Sequence, residues 1–189
     1  MAHKSTVYKA ELIVSDMDRS YYATHNLVLA QHPSESDRRL VARLVVFALF
    51  AEERLEFGRG LGNSEDPDLW RRDLTGSIEQ WFELGQPDDS SIRKACGRAQ
   101  QVIVVNYGGN AAEAWWDKNR ASLMRSKNLT VLDLDPTVLN QGNQLLERTM
   151  RLSATLQEGE LQLSNATQTI VFSPRTRLLA EKVAATKFG

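Results

Sequence analysis

The stretch Pro67-Asp68-Leu69-Trp70-Arg71-Arg72-Asp73-Leu74-Thr75-Gly76-Ser77-Ile78-Glu79-Gln80-Trp81-Phe82-Glu83-Leu84-Gly85-Gln86-Pro87-Asp88 decides how the chain is read. Residues 68–73 and 77–85 read as two strands joined by a tight turn at Thr75-Gly76. With a two-residue turn, Leu74 faces Ser77, and counting back along the hairpin sets Asp68 directly opposite Glu83. Opposed residues share a face of the sheet ~5 Å apart. Two carboxylates at that separation suit a hard divalent cation, Mg²⁺ above all. Glu79 shares the face of Glu83 but lies ~13 Å along the strand, so it ranks below Asp68 as a ligand.

Outward from this hairpin, the pattern changes in both directions. Pro87-Asp88 opens a helix whose apolar stripe is Ile92, Ala95, Cys96 and Ala99. Gln101–Tyr107 (QVIVVNY) is apolar in a block, as a central strand should be. Gly108-Gly109 breaks it, a helix follows from Ala111 to about Arg125, and Leu129–Leu134 is a further strand. Upstream, Arg54–Phe57 reads as a short strand, preceded by a helix from Pro33 with apolar residues from Leu40 to Ala51. Ser34 is its expected cap, and Glu35 and Asp37 complement its positive end. At the ends, alternation of period two marks a hairpin over about Val7–Leu29 and strands over about Met150–Phe172. The expected architecture is α+β or α/β: an αβββαβ core over 33–144, and an antiparallel β subdomain from 5–32 and 147–173. A polar, weakly helical tail follows at 174–189.

Composition narrows the function. The chain has 189 residues, 42% of them hydrophobic and 25% charged, and a net charge of −1. Binding polyanions through bulk charge alone is thereby disfavoured. One cysteine, Cys96, excludes an intramolecular disulfide framework and a zinc site of two or more thiolates. No run is apolar enough to span a bilayer, and the first residues lack a signal-peptide core. These features read as a cytoplasmic protein without a membrane partner.

The literal Pro67-Asp68, the acid Glu83 one hairpin later, and the order helix, three strands, helix, strand resemble the PD-(D/E)XK, or restriction-endonuclease-like, nuclease fold. The resemblance implies that Asp68 and Glu83 hold Mg²⁺ or Mn²⁺, with Glu35 as the acid of the first helix. The lysine expected two residues after Glu83 is Gly85 here, so Gln86 or Lys94 becomes the candidate replacement. Thr6-Val7-Tyr8-Lys9-Ala10, His32-Pro33-Ser34-Glu35, Arg54–Leu61, Glu83–Asp88 and Arg93-Lys94-Ala95-Cys96 are similar to the YaeQ family of small bacterial proteins. That resemblance implies the same nuclease-like fold with an added β subdomain.

Two functions follow as expectations. One is a Mg²⁺-dependent hydrolase of nucleic-acid phosphodiesters. The other is a scaffold of reduced catalysis that binds a protein or a nucleic acid. Arg38, Arg39, Arg43, Arg54 and Arg59 are candidates for a phosphate groove, set against ordinary surface ion pairs. Trp70, Trp81, Trp115 and Trp116 are candidates for base stacking, set against core packing.

Overall fold

The computed structural model describes residues 4–61 and 65–181. The first strands are β1 (Thr6–Asp16) and β2 (Tyr21–Gln31), followed by helix α1 (Asp37–Leu49). Next come β3 (Leu55–Phe57), β4 (Leu69–Arg72), β5 (Ile78–Leu84), α2 (Asp89–Arg98), β6 (Ala99–Asn106), α3 (Asn110–Leu123) and β7 (Leu129–Asp133). After a short helix α4 (Pro136–Gly142) and a 3₁₀ turn come β8 (Thr149–Gln157), β9 (Glu160–Ser164), β10 (Thr169–Phe172) and β11 (Arg175–Leu178). The described residues divide into two compact units. One lies within Met1–Glu53, Arg59–Asp66 and Thr137–Ser173, the other within Arg54–Gly58, Pro67–Pro136 and Pro174–Gly189.

The first unit is a sheet in the order β10-β9-β8-β1-β2. The end segments share this sheet and join through a parallel pairing of β1 with β8, from Lys9↔Thr149 to Asp16↔Leu156. An all-antiparallel subdomain is therefore corrected to a mixed one. Ala10, Leu12 and Val14 of β1 and Met150, Leu152 and Ala154 of β8 are buried, so one face of the pair is apolar. Helix α1 belongs to this unit, packing on β9 and the 3₁₀ turn, rather than to the middle segment. Its run from Leu40 to Ala48 is buried on every side, which is why no polar face shows in its sequence. Its cap is Ser36, whose Oγ accepts the Arg39 N–H at 3.3 Å, not Ser34. Ser34 instead bonds His32 Nδ1 at 2.6 Å.

The second unit is a sheet in the order β11-β7-β6-β5-β4-β3. The pairs β5–β6 and β6–β7 are parallel, and the outer pairs are antiparallel. Val102 to Asn106 of β6 are all buried. One face of the sheet carries Trp81, Val102, Val104 and Val131, packed against Ile92 and Ala95 of α2 and Leu123 of α3. Trp115 and Trp116 pack against the same cluster, and the Trp115 Nε1–H donates to the Pro87 carbonyl at 2.8 Å. Asp88 caps α2 by accepting the Ser91 N–H at 2.7 Å, and these bonds hold its carboxyl below the usual carboxylate range. The polar tail is a strand over Arg175–Leu178: β11 pairs with β7, and Arg177 reaches back to Asp133 and to Glu113 of α3. Expectations for 182–189 lie outside the described residues.

Candidate functional site: the acids of the β4–β5 hairpin

The register of the decisive hairpin is the one its sequence implies: Leu69↔Phe82, Trp70↔Trp81 and Arg71↔Gln80. The turn that produces it is different. Asp73 N–H donates to the Ser77 carbonyl at 2.9 Å, and Asp73 Oδ1 accepts the N–H groups of Thr75 and Ser77. The loop is thus wider by one residue, and a bulge restores the register, since Arg71 pairs with Gln80 and Arg72 with Ile78. Two departures from the simple count cancel.

One step beyond Leu69↔Phe82, where Asp68 would oppose Glu83, the ladder gives way. Asp68 N–H donates to the Phe82 carbonyl at 2.9 Å, and its own carbonyl accepts the Gly58 N–H at 2.9 Å. Its carboxylate Oδ2 accepts the Leu84 N–H at 2.7 Å. The buried Asp68 side chain therefore takes a ladder position next to Glu83, held by main-chain bonds on three sides. Glu83 is half-buried, and the Trp81 Nε1–H donates to its Oε1 at 2.7 Å. Both donors are N–H groups, a main-chain one at Asp68 and an indole at Glu83. The hairpin thus sets the two acids on neighbouring strands.

The other candidates have surroundings of their own. Glu35 is buried, and its carboxylate accepts Arg39 Nη1 at 2.7 Å and Arg43 Nη1 at 3.2 Å. It lies in the first unit, whereas Asp68 and Glu83 lie in the second. Glu79 sits at the bulge and pairs with Arg71 at 2.8 Å and Arg54 at 3.1 Å. Among the described residues, no three His, Cys, Asp or Glu side chains gather into a group that could hold an ion. Lys94 is exposed on α2, away from the buried Ile92 and Ala95. Gln86 is exposed immediately after Gly85, with its amide against the Gly108 backbone.

The arginines proposed for a phosphate groove have protein partners: Arg38 with Asn140, Arg39 and Arg43 with Glu35, Arg54 with Glu79, and Arg59 with Asp66. Trp70 stands edge-on to Trp81 at 6.4 Å with the Arg72 guanidinium over its ring, so these groups pack on one another. Cys96 is half-buried, and burial pushes its thiol up, away from reactivity.

The model of the YaeQ protein family matches residues 1–174. The chain belongs to the YaeQ family. YaeQ of Escherichia coli (strain K12) is 41% identical over 165 residues, covering 87% of this chain and 91% of that protein. YaeQ of Salmonella typhi is 41% identical over 166 residues, covering 88% and 92%. The crystal structure of YaeQ from Xanthomonas axonopodis pv. citri superposes with a TM-score of 0.89 at 50% identity, over 92% of this chain and 98% of that one. YaeQ from Pseudomonas syringae gives 0.88 at 27% identity, over 94% and 98%. These YaeQ structures share the mixed α+β fold of this chain, which among the described residues has two sheets and four helices. Among the described residues no helix is long and apolar enough to cross a membrane.

Sequence reasoning missed two features of this YaeQ site. The Trp81–Glu83 bond has a signal in hindsight, since residues two apart on a strand share a face. The buried Asn106 at the end of the apolar β6 block was the other, and a polar residue closing such a block was its signal.

Proposed function

We propose that this YaeQ protein binds Mg²⁺ or Mn²⁺ through Asp68 and Glu83 and hydrolyses phosphodiesters of nucleic acid in the bacterial cytoplasm, on a core of PD-(D/E)XK type. The observation that carries this reading is the seat of Asp68. A buried carboxylate is held on the Leu84 N–H, one residue from the acid Glu83 on the neighbouring strand. The element order β3, β4, β5, α2, β6 within the second unit is in keeping with such a core. A divalent cation at such a pair supplies charge stabilisation at a phosphoryl oxygen and a bound water of lowered pKa. The chain's own part is to fix the two carboxylates, through Leu84 N–H and Trp81 Nε1–H. A second reading, a scaffold that binds a protein or nucleic acid without cleaving it, is favoured by Gly85, which brings no ammonium to the site.

Melting the protein with and without millimolar Mg²⁺ or Mn²⁺ tests the metal. A ligand at 100 times its Kd stabilises the folded state by about 2.7 kcal/mol. The wild type should show a raised Tm, and Glu83→Gln, which removes charge at constant shape, should not. Cleavage of a labelled oligonucleotide by the wild type and not by Glu83→Gln supports the hydrolase. Metal binding without cleavage supports the scaffold. No metal effect on the wild type overturns the site.

A further inference from the structure

The carboxyl end of β6 carries an unsatisfied group. Asn106 is 0% exposed, and among the described residues neither its Nδ2 nor its Oδ1 has a hydrogen-bond partner. A buried amide without partners is costly, and native folds rarely keep one without a use. Strand alternation places Asn106 on the face of Val102 and Val104, the face covered by α2 and α3. Its neighbour on β5 is Gly85, since Leu84 pairs with Val105 and Gly85 N–H donates to the Val105 carbonyl at 2.9 Å. Gly85 has φ +94°, and a Cβ added there would meet only the Tyr107 ring and hydroxyl, the latter at 3.9 Å. Residue 85 thus brings no side chain next to Asn106, and the Tyr107 hydroxyl borders its position. Glu83, one pleat back on β5 and paired with Val104, shares this face.

The chain then turns through Gly108-Gly109 into α3. Gly109 is the N-cap, and no side chain caps the helix. Its first turn carries the positive end of a 14-residue helix. Gln86 leans over this turn, its Nε2 2.5 Å from where a Cβ on Gly108 would sit. Two of the acids nearby are paired. Asp133, the β7 neighbour of Asn106, and Glu113 in the first turn of α3 both bind Arg177. That pairing holds the Glu113 carboxyl below its usual range.

We propose that the head of β5 and β6 is a binding subsite for a phosphate group, taken up by Asn106, Gln86 and the first N–H groups of α3. Helix N-termini at the carboxyl ends of parallel strands are anion sites of this kind. The subsite deepens the metal reading and rests on it for the phosphodiester: a phosphate here lies one pleat from Glu83. The positive field of α3 stands where Gly85 brings no charge.

The subsite is tested without metal. Inorganic phosphate is titrated into the EDTA-treated full chain while ¹H–¹⁵N spectra follow the amides of Gly108, Gly109 and Asn110 and the side chain of Asn106. Saturable shifts confined to these signals are expected. Asn106→Asp, which sets a like charge against the anion, should weaken binding by about tenfold or more, as the loss of a charge-assisted bond predicts. Asn106→Leu should remain folded, with a Tm no lower than wild type, and lose the shifts. Should either variant fail to fold, Gln86→Leu on the exposed side serves in its place. Glu83→Gln should keep the phosphate response while losing the metal response, so the two readings fail separately. Absence of shifts at the start of α3, or undiminished binding by Asn106→Asp, overturns the proposal.

Discussion

Glu35 shows what a single acid before a helix conceals. Its position suits the helix dipole, and a resemblance to nuclease folds makes it a metal ligand, yet its carboxylate is buried against Arg43, whose side chain is 3% exposed. The partner sits eight residues on, inside an apolar run, where spacing gives no hint of pairing. Breaking a buried pair from one side typically costs about 3–5 kcal/mol. Glu35→Gln should therefore lower urea stability by roughly 3 kcal/mol, and the double change Glu35→Met with Arg43→Met should recover most of it. A catalytic acid would show the opposite signature, lost activity at unchanged stability. His25 gives a pH dependence. It packs edge-on to Phe47 at 5.2 Å and bonds the Tyr21 hydroxyl through Nε2 at 3.0 Å, and burial pulls its pKa below 6.5. The unfolded chain then binds the proton more readily, so the stability is complete above about pH 6.5 and declines as pH falls through and below it. Urea midpoints measured between about pH 7 and pH 5 should fall more steeply for the wild type than for His25→Leu.

Elements were legible where one residue pattern had one reading. The block Gln101–Tyr107 announces a strand buried on both faces, and Val104 is 0% exposed at its centre. Val104→Asp should abolish cooperative unfolding, because an unpaired buried charge costs several kcal/mol, on the order of the whole stability. A sharp melting transition in that variant would show the strand to be peripheral. Helix α1 was legible as a helix but not at its first residue, because Ser34 and Ser36 both satisfy the capping pattern. Ser36→Ala should cost about 1 kcal/mol and Ser34→Ala much less, as read by denaturant midpoints. Strand β11 was not legible. Arg-Thr-Arg-Leu has no apolar alternation, and it becomes a strand through its pairing with β7 and through Arg177, which ties it to Asp133 and Glu113. Asp68 and Glu83 were legible as neighbours because the hairpin register was countable. That Asp68 would spend an oxygen on Leu84 N–H was not, since side-chain acceptance by a neighbouring strand leaves no mark in a residue pattern.

Both compact units are assembled from three chain segments each, and the path passes between them repeatedly. The sheet of the first unit pairs residues some 140 positions apart, as in Lys9↔Thr149. Folds dominated by such separations tend to fold in milliseconds to seconds. Stopped-flow refolding should place this chain in that slow range, and a microsecond phase carrying the full signal change would contradict the topology. The same interleaving makes the units inseparable by one cut. A fragment of residues 67–136 lacks β3 and β11, the two strands that close its sheet edges. It is expected to be unfolded by circular dichroism, and a cooperatively melting fragment would show those edge strands to be dispensable.

The parallel seat of β8 beside β1 also sets an order of events during synthesis. About 130 residues separate the end of β1 at Asp16 from the start of β8 at Thr149. At ~5–20 residues per second, the nascent hairpin waits roughly ten seconds outside the ribosome before its neighbour emerges. Throughout that interval one edge of β1 offers unpaired backbone groups, and Ala10, Leu12 and Val14 lie uncovered. Exposed edges of this kind template association with other chains. Cellular yield of the protein should therefore depend on chaperones that shield nascent chains, more than its final stability would suggest.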